Sequence, residues 1–150
     1  MLWLYFLEET EIFSRPLRLL QIAPEYPLYE AFKATPAIDY VTAGLNAEFI
    51  RVKMDLVYPA FKPDLFEVII CCHVLEHIID DVAAMRELWR VLKPGRLAFL
   101  QSLLVITGKA ELRTQIVAPR RRGPEFSDRA TTSGFTAENI RTGWRKPVSR

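Results

Sequence analysis

Residues 66–95 read FEVIICCHVLEHIIDDVAAMRELWRVLKPG, and this stretch decides the fold. FEVIICC (66–72) is apolar and β-branched without alternation, as a central strand covered on both faces must be. After a turn through HVLEHI, Asp80 or Asp81 can cap a helix running to about Leu92. Val82, Met85, Leu88, Trp89 and Leu92 form one apolar stripe along it, while Arg86, Glu87 and Arg90 are expected to face water. Lys93-Pro94-Gly95 stops the helix, with Gly95 suited to a left-handed cap, and LAFLQSLLVI (97–106) supplies another apolar strand. A strand, a crossover helix and a strand at this spacing predict parallel pairing with a right-handed connection.

The same alternation extends toward the N terminus. LRLLQIA (17–23) is a second doubly buried strand, and Pro24 and Pro27 bracket the loop after it. A short helix is expected from about Leu28 to Lys33, ended by Ala34-Thr35-Pro36 because a residue before proline is pushed out of the helical region. IDYVTA (38–43) is a further strand, punctuated by Gly44, and a short one ends at Met54-Asp55. Pro59 and Pro63 make Tyr58 to Leu65 a loop. At the start, Trp3, Leu4, Leu7 and Ile12 fit one face of an amphipathic helix closed by Pro16. Glu8, Glu9 and Glu11 come too soon for a membrane span, and no basic n-region of a signal peptide precedes them.

Beyond Ile106 no element is clear, apart from a weak helix at Ala137 to Arg141. The expected fold is α/β, a Rossmann-like open and mostly parallel sheet with flanking helices, incomplete at its C-terminal end. Residues 1–106 are read as that domain and 107–150 as a basic, weakly structured segment.

Composition sets the remaining bounds. The chain has 150 residues, half of them hydrophobic and a quarter charged, as in a soluble globular domain. Residues 1–106 carry 10 basic and 14 acidic side chains, and residues 107–150 carry 10 and 4, so charges of −4 and +6 make up the net +2. A basic tail can meet phosphate, but a solvated run is the simpler reading of Arg120 to Arg122. Cys71 and Cys72 are adjacent and, on a strand, point to opposite faces, so they cannot easily pair; a reducing cytoplasm suits this.

In an open parallel sheet, ligands bind beyond the carboxyl ends of the strands, near the point where strand order reverses. The candidates are therefore Ala23 to Tyr26, Gly44 to Asn46, Asp55-Leu56, and Cys72 to Val74. A nucleoside there needs a close backbone approach, an acceptor for its ribose hydroxyls, and a polar group beside an apolar bed for the base. Asn46 can supply the second, less strongly than a carboxylate would, and Asp55 with Leu56 the third.

LRLLQIAPEYPLYEAF, IDYVTAGLN, VKMDL and the strand–HVLEHI–DD–helix–LKPG block together resemble a branch of the S-adenosylmethionine (SAM)-dependent methyltransferases of class I, the methyltransferase-11 type, over roughly residues 1–101. That branch has an Ala-Pro-Glu turn in place of the glycine-rich first loop. The resemblance implies SAM as cofactor, with Ala23, Pro24, Glu25 and Tyr26 at its methionine end, Asp55-Leu56 at the adenine, and Cys72-His73 beside the sulfonium. It implies methyl transfer to an acceptor, small-molecule or unidentified, that the sequence does not reveal; nucleic acid is not the expected partner. Gly44 stands where the family pattern has aspartate, Glu67 replaces an aspartate and Arg96 a glycine, and residues after Leu103 do not follow the family. The alternative is a degenerate or truncated Rossmann-like domain acting by protein contacts, and an uncovered sheet edge near 97–106 would favour self-association.

Several residues keep two readings. His73 is a candidate proton acceptor, or else a turn residue. Glu25 is a cofactor contact or a helix cap, and Asp55 a base contact or a turn aspartate bonding its own backbone. Cys72 is read as core with an edge on the crevice, not as a nucleophile. His73-x-x-Glu76-His77 matches the inverted zinc-peptidase pattern, but these are the only two histidines and the pattern follows a buried strand, so no metal is expected. Glu76 and His77 are read as bridging the strand–helix turn.

Overall fold

A computed structural model describes residues 6, 10, 12–46, 48–58, 61–106 and 109–117. Six strands form one sheet in the order β3-β2-β1-β4-β5-β6. They are β1 (Leu17–Ile22), β2 (Ile38–Gly44), β3 (Val52–Lys53), β4 (Phe66–Cys72), β5 (Leu92–Ile106) and β6 (Lys109–Val117). The first five are parallel, and β6 returns antiparallel along β5. The α/β fold expected from the alternation of apolar strands and amphipathic helices is the fold found.

Two helices position the site. Helix α1 (Tyr26–Lys33) links β1 to β2, and α2 (Asp81–Val91) links β4 to β5. The chain moves one way across the sheet from β1 to β2 and the other way from β4 to β5. A common right-handed crossover therefore sends the two helices to opposite faces. Leu28 and Phe32 of α1 pack with Leu19, Val68, Ile70 and Cys72 on one face, joined by Phe6 and Ile12. Ala84, Leu88 and Val91 of α2 pack with Leu20, Ile22, Ile69 and Cys71 on the other. The two cysteines thus do point to opposite faces.

Several details depart from the sequence reading. Helix α1 begins at Tyr26, so Pro27 lies in its first turn, where its missing N–H costs nothing, and not in the preceding loop. Helix α2 ends at Val91, and Lys93-Pro94-Gly95 bulges from β5, since Phe66 pairs with Leu92 but Val68 already with Leu97. Gly95 is left-handed (φ 76°) as expected, but serves this bulge and not a helix cap. Arg90 and Glu87 do not simply face water. They are half-buried and paired at 2.7 Å, and Arg90 Nη2 donates to the carbonyl of Phe61 at 2.8 Å, fastening the loop before β4. Strand β6 occupies residues to which no element was assigned, and it covers the margin of β5 that would otherwise lie open. The expected N-terminal helix falls largely outside the described residues; Phe6 is helical and fully buried. The helix expected at 137–141 also lies outside them.

Candidate functional site

The strand order reverses between β1 and β4, and the loops after β1, β2, β3 and β4 open on the same carboxyl rim. Both central strands end in a strained residue. Ala23 (φ 46°) and His73 (φ 55°) are left-handed without being glycine, a conformation that costs about 1–2 kcal/mol each. Each is held by the strand alongside: Ala23 N–H donates to the carbonyl of Ala43 at 2.9 Å, and His73 N–H to that of Gln101 at 2.8 Å. Strain kept at two neighbouring strand ends points to a site there.

After Ala23, Pro24 is buried, and Glu25 occupies the N-cap position of α1. Its carboxylate makes no capping bond and is exposed, which removes the helix-cap reading for this side chain. Tyr26 is 61% exposed. Gly44 closes β2 and is buried, and a Cβ built on it would meet Ile50 Cγ2 at 3.5 Å and Ala23 N at 3.6 Å. Those are ordinary contacts, so residue 44 lies beside the Ala23 turn and has room for a Cβ. Asn46 is exposed.

Asp55 follows β3, and its Oδ1 accepts from the Val57 N–H at 3.0 Å. The turn reading therefore holds for one carboxylate oxygen, and the bond fixes the direction of the group. Leu56 beside it is buried. Cys72 is buried, and its thiol is pushed up to about 12, first by burial and then by the carboxylates of Glu25 and Glu76. It is no nucleophile at neutral pH. Cys71, deeper in the sheet, is raised further by burial. That Glu25 and Glu76 both act on Cys72 brings the loops after β1 and β4 together, with negative charge from each.

His73 Nδ1 lies 3.4 Å from Glu76 Oε1. His73 precedes the 3-10 turn Leu75–His77, so the two histidines do not share the helical face that the zinc pattern requires. Glu76 bridges the turn, as expected; His77 contributes a backbone bond to the carbonyl of Val74.

Two residues not singled out in the sequence also shape the rim. Thr42, fully buried in β2, donates from Oγ1 to the Phe49 carbonyl at 2.7 Å and accepts from Arg51 N–H at 2.9 Å. Phe49 stacks on Tyr29 of α1 (centroids 4.6 Å apart) and meets Tyr26 at 5.7 Å. Together they tie the loop after β2 to the loop after β1. The available signal was the small polar Thr42 among the apolar residues Val41 and Ala43. Finally, the exposed large hydrophobic side chains among the described residues are Tyr26, Leu45, Tyr58 and Ile79. One follows each of β1, β2, β3 and β4.

Comparison with known proteins agrees with this layout. A family model described as a methyltransferase domain matches residues 29–100. The Ubiquinone biosynthesis O-methyltransferase of Pseudomonas fluorescens is 27% identical over 74 residues, 49% of this chain and 32% of that enzyme. The chain thus spans about a third of the curated relatives it matches. A solved structure described as a candidate sarcosine dimethylglycine methyltransferase from Galdieria sulphuraria superimposes with a TM-score of 0.55 at 16% identity, over 67% of this chain and 44% of that one. A candidate methyltransferase from Bacillus halodurans gives 0.52 at 22% identity, over 62% and 43%. These likenesses establish the fold.

Proposed function

We propose, for a chain that belongs over residues 29–100 to the class I SAM-dependent methyltransferases, that its carboxyl rim binds SAM and delivers the methyl group to an acceptor. The observation that carries this is the convergence of four loops on one rim, with strained turns at Ala23 and His73. The residues fit the cofactor in most respects. Glu25 offers an exposed carboxylate beside the Ala23 turn for the methionine end, and Ala23, Pro24 and Tyr26 form the wall around it. Asp55, held by its own turn, and buried Leu56 offer an acceptor and an apolar bed for adenine. Glu25 and Glu76 supply negative potential beside Cys72 and His73, complementary to a sulfonium. The ribose is the weak point, because Gly44 has no side chain and Asn46, two residues on and exposed, offers an amide where a carboxylate would bind more strongly.

SAM, when bound, brings a methyl group already activated by positive sulfur, so the chain's own residues act mainly by binding and alignment. His73 is the candidate for taking a proton from the acceptor. The fit and the family also support the finer reading of a small-molecule acceptor. No described helix is long and apolar enough to cross a membrane.

Titration calorimetry with SAM and with its demethylated product, S-adenosylhomocysteine (SAH), tests the proposal. Micromolar binding that weakens on Asp55→Ala is the expected result. No heat with either compound would favour the second reading, a non-catalytic domain acting by protein contacts. Gly44, which has no side chain to hold a ribose, supports that second reading.

A further inference from the structure

We propose that strand β6 is a self-pairing edge, and that two copies of this chain join antiparallel through it about a two-fold axis at Leu112. The sheet ends on β3 at one side and on β6 at the other. The two margins differ in kind. Strand β3 has two residues, too few to template a partner strand, whereas β6 runs for nine without proline or glycine. Among the described residues, no strand lies along its outer side. The backbone N–H and C=O groups on that side can take up another strand, and a closed two-fold pairing of identical edges satisfies both copies at once.

The register on β5 fixes which residues of β6 share a face. Gln115 and Val117 lie opposite Leu100 and Ala98, so Lys109, Glu111 and Arg113 belong to the α2 face of the sheet. Ile116 lies opposite Phe99, so Ala110, Leu112 and Thr114 belong to the α1 face. A two-fold axis normal to the sheet keeps each face on its own side, and it must therefore set one residue of β6 opposite itself. An axis at Glu111 or at Arg113 puts like charges directly opposite, which is destabilising. An axis at Thr114 puts Arg113 opposite Gln115 and Glu111 opposite Val117, so no charge finds its opposite. An axis at Ala110 pairs only the first few residues of the strand. At Leu112 the charges match. Glu111 then stands opposite Arg113 of the second copy, and Arg113 opposite Glu111 of the second copy. Ala110 opposes Thr114 and Lys109 opposes Gln115, so the pairing spans residues 109–115 and joins two six-stranded sheets into one. The two carboxyl rims open in opposite directions, clear of the joint, and the inference does not depend on the methyl-transfer reading.

Sedimentation equilibrium on the intact chain, over a wide concentration range, tests this pairing. The expected result is a reversible dimer. Glu111→Arg and Arg113→Glu each place like charges at both symmetry-related positions, and each should weaken the dimer about ten- to a hundredfold. The two variants complement one another. Mixing them in equal amounts should therefore restore the dimer to near its original affinity, which a misfolded variant could not do. The double variant carrying both substitutions should also dimerise as the wild type does. A wild type that stays monomeric throughout, its edge open or taken by another segment, would overturn the inference. So would single variants that dimerise as before, or a mixture that stays monomeric.

Discussion

The two ends of this sheet use their charged residues in different ways. At the amino end, charges pair with one another across neighbouring strands. Arg18 of β1 meets Asp39 of β2 at 2.9 Å, and Glu67 of β4 meets Lys93 of β5 while also accepting from the Arg18 backbone N–H at 2.8 Å. At the carboxyl end, a helix-capping position holds a carboxylate that does not cap, Ala23 and His73 are left-handed, against Asp64 alone at the amino end, and large apolar side chains stand in solvent. Such an end gives up stability that a ligand can restore, while the other end consolidates the fold. Substitutions at the two ends should therefore separate binding from stability.

The largest effect is expected at Gly44. Gly44→Asp has room for its Cβ and would restore a charged acceptor at the end of β2. One charge-assisted hydrogen bond is worth about 1.5–3 kcal/mol, so SAH affinity should rise about ten- to a hundredfold in calorimetry. An unchanged affinity would show that the rim lacks a ribose position. Asp55→Ala comes next, with affinity falling about tenfold and the chemical-denaturation midpoint moving by less, since one part-buried turn bond is lost. A large loss of stability instead would make Asp55 a fold residue.

Ala23→Gly tests the strain. Relief of a left-handed alanine, less the extra chain entropy of glycine, should stabilise the fold by up to about 1 kcal/mol while weakening SAH binding. The smallest effect is expected at the amino end. Burial raises the Glu67 carboxyl, but hydrogen bonds from Lys93 and from the Arg18 backbone outweigh it and hold the group below its ordinary value. A carboxyl lowered in the folded state adds stability above its unfolded pKa, and that stability is lost as pH falls through the folded value. Glu67→Gln should therefore cost about 1 kcal/mol at neutral pH and flatten the acid limb of the stability curve, with SAH affinity untouched.

Much of the candidate site was legible because strand ends are legible. Apolar runs such as 17–23 and 66–72 stop where polar or turn residues begin, and the rule that ligands sit beyond carboxyl ends did the rest. Glu25 shows the limit. Its sequence position suits a cap equally well, and only coordinates reveal that the side chain turns away. Asp55 turned out to serve a turn without surrendering its candidacy, because a carboxylate has two oxygens. Phe49 and Thr42 were missed, since their partners are 20 residues or 7 residues away and come together only when α1 packs over β2.

The sequence by itself determined the parallel α/β order, a helix cap at Asp80 or Asp81, and the inertness of the two cysteines; the fold chose Asp80, which accepts from Ala83 N–H at 3.0 Å. Periodicity, capping and burial are local properties, written in runs of neighbouring residues. The Gly95 bulge and the antiparallel return of β6 were decided by tertiary structure. Each depends on which strand lies alongside, and that is fixed by packing across the whole sheet, where one register satisfies every buried backbone group at once.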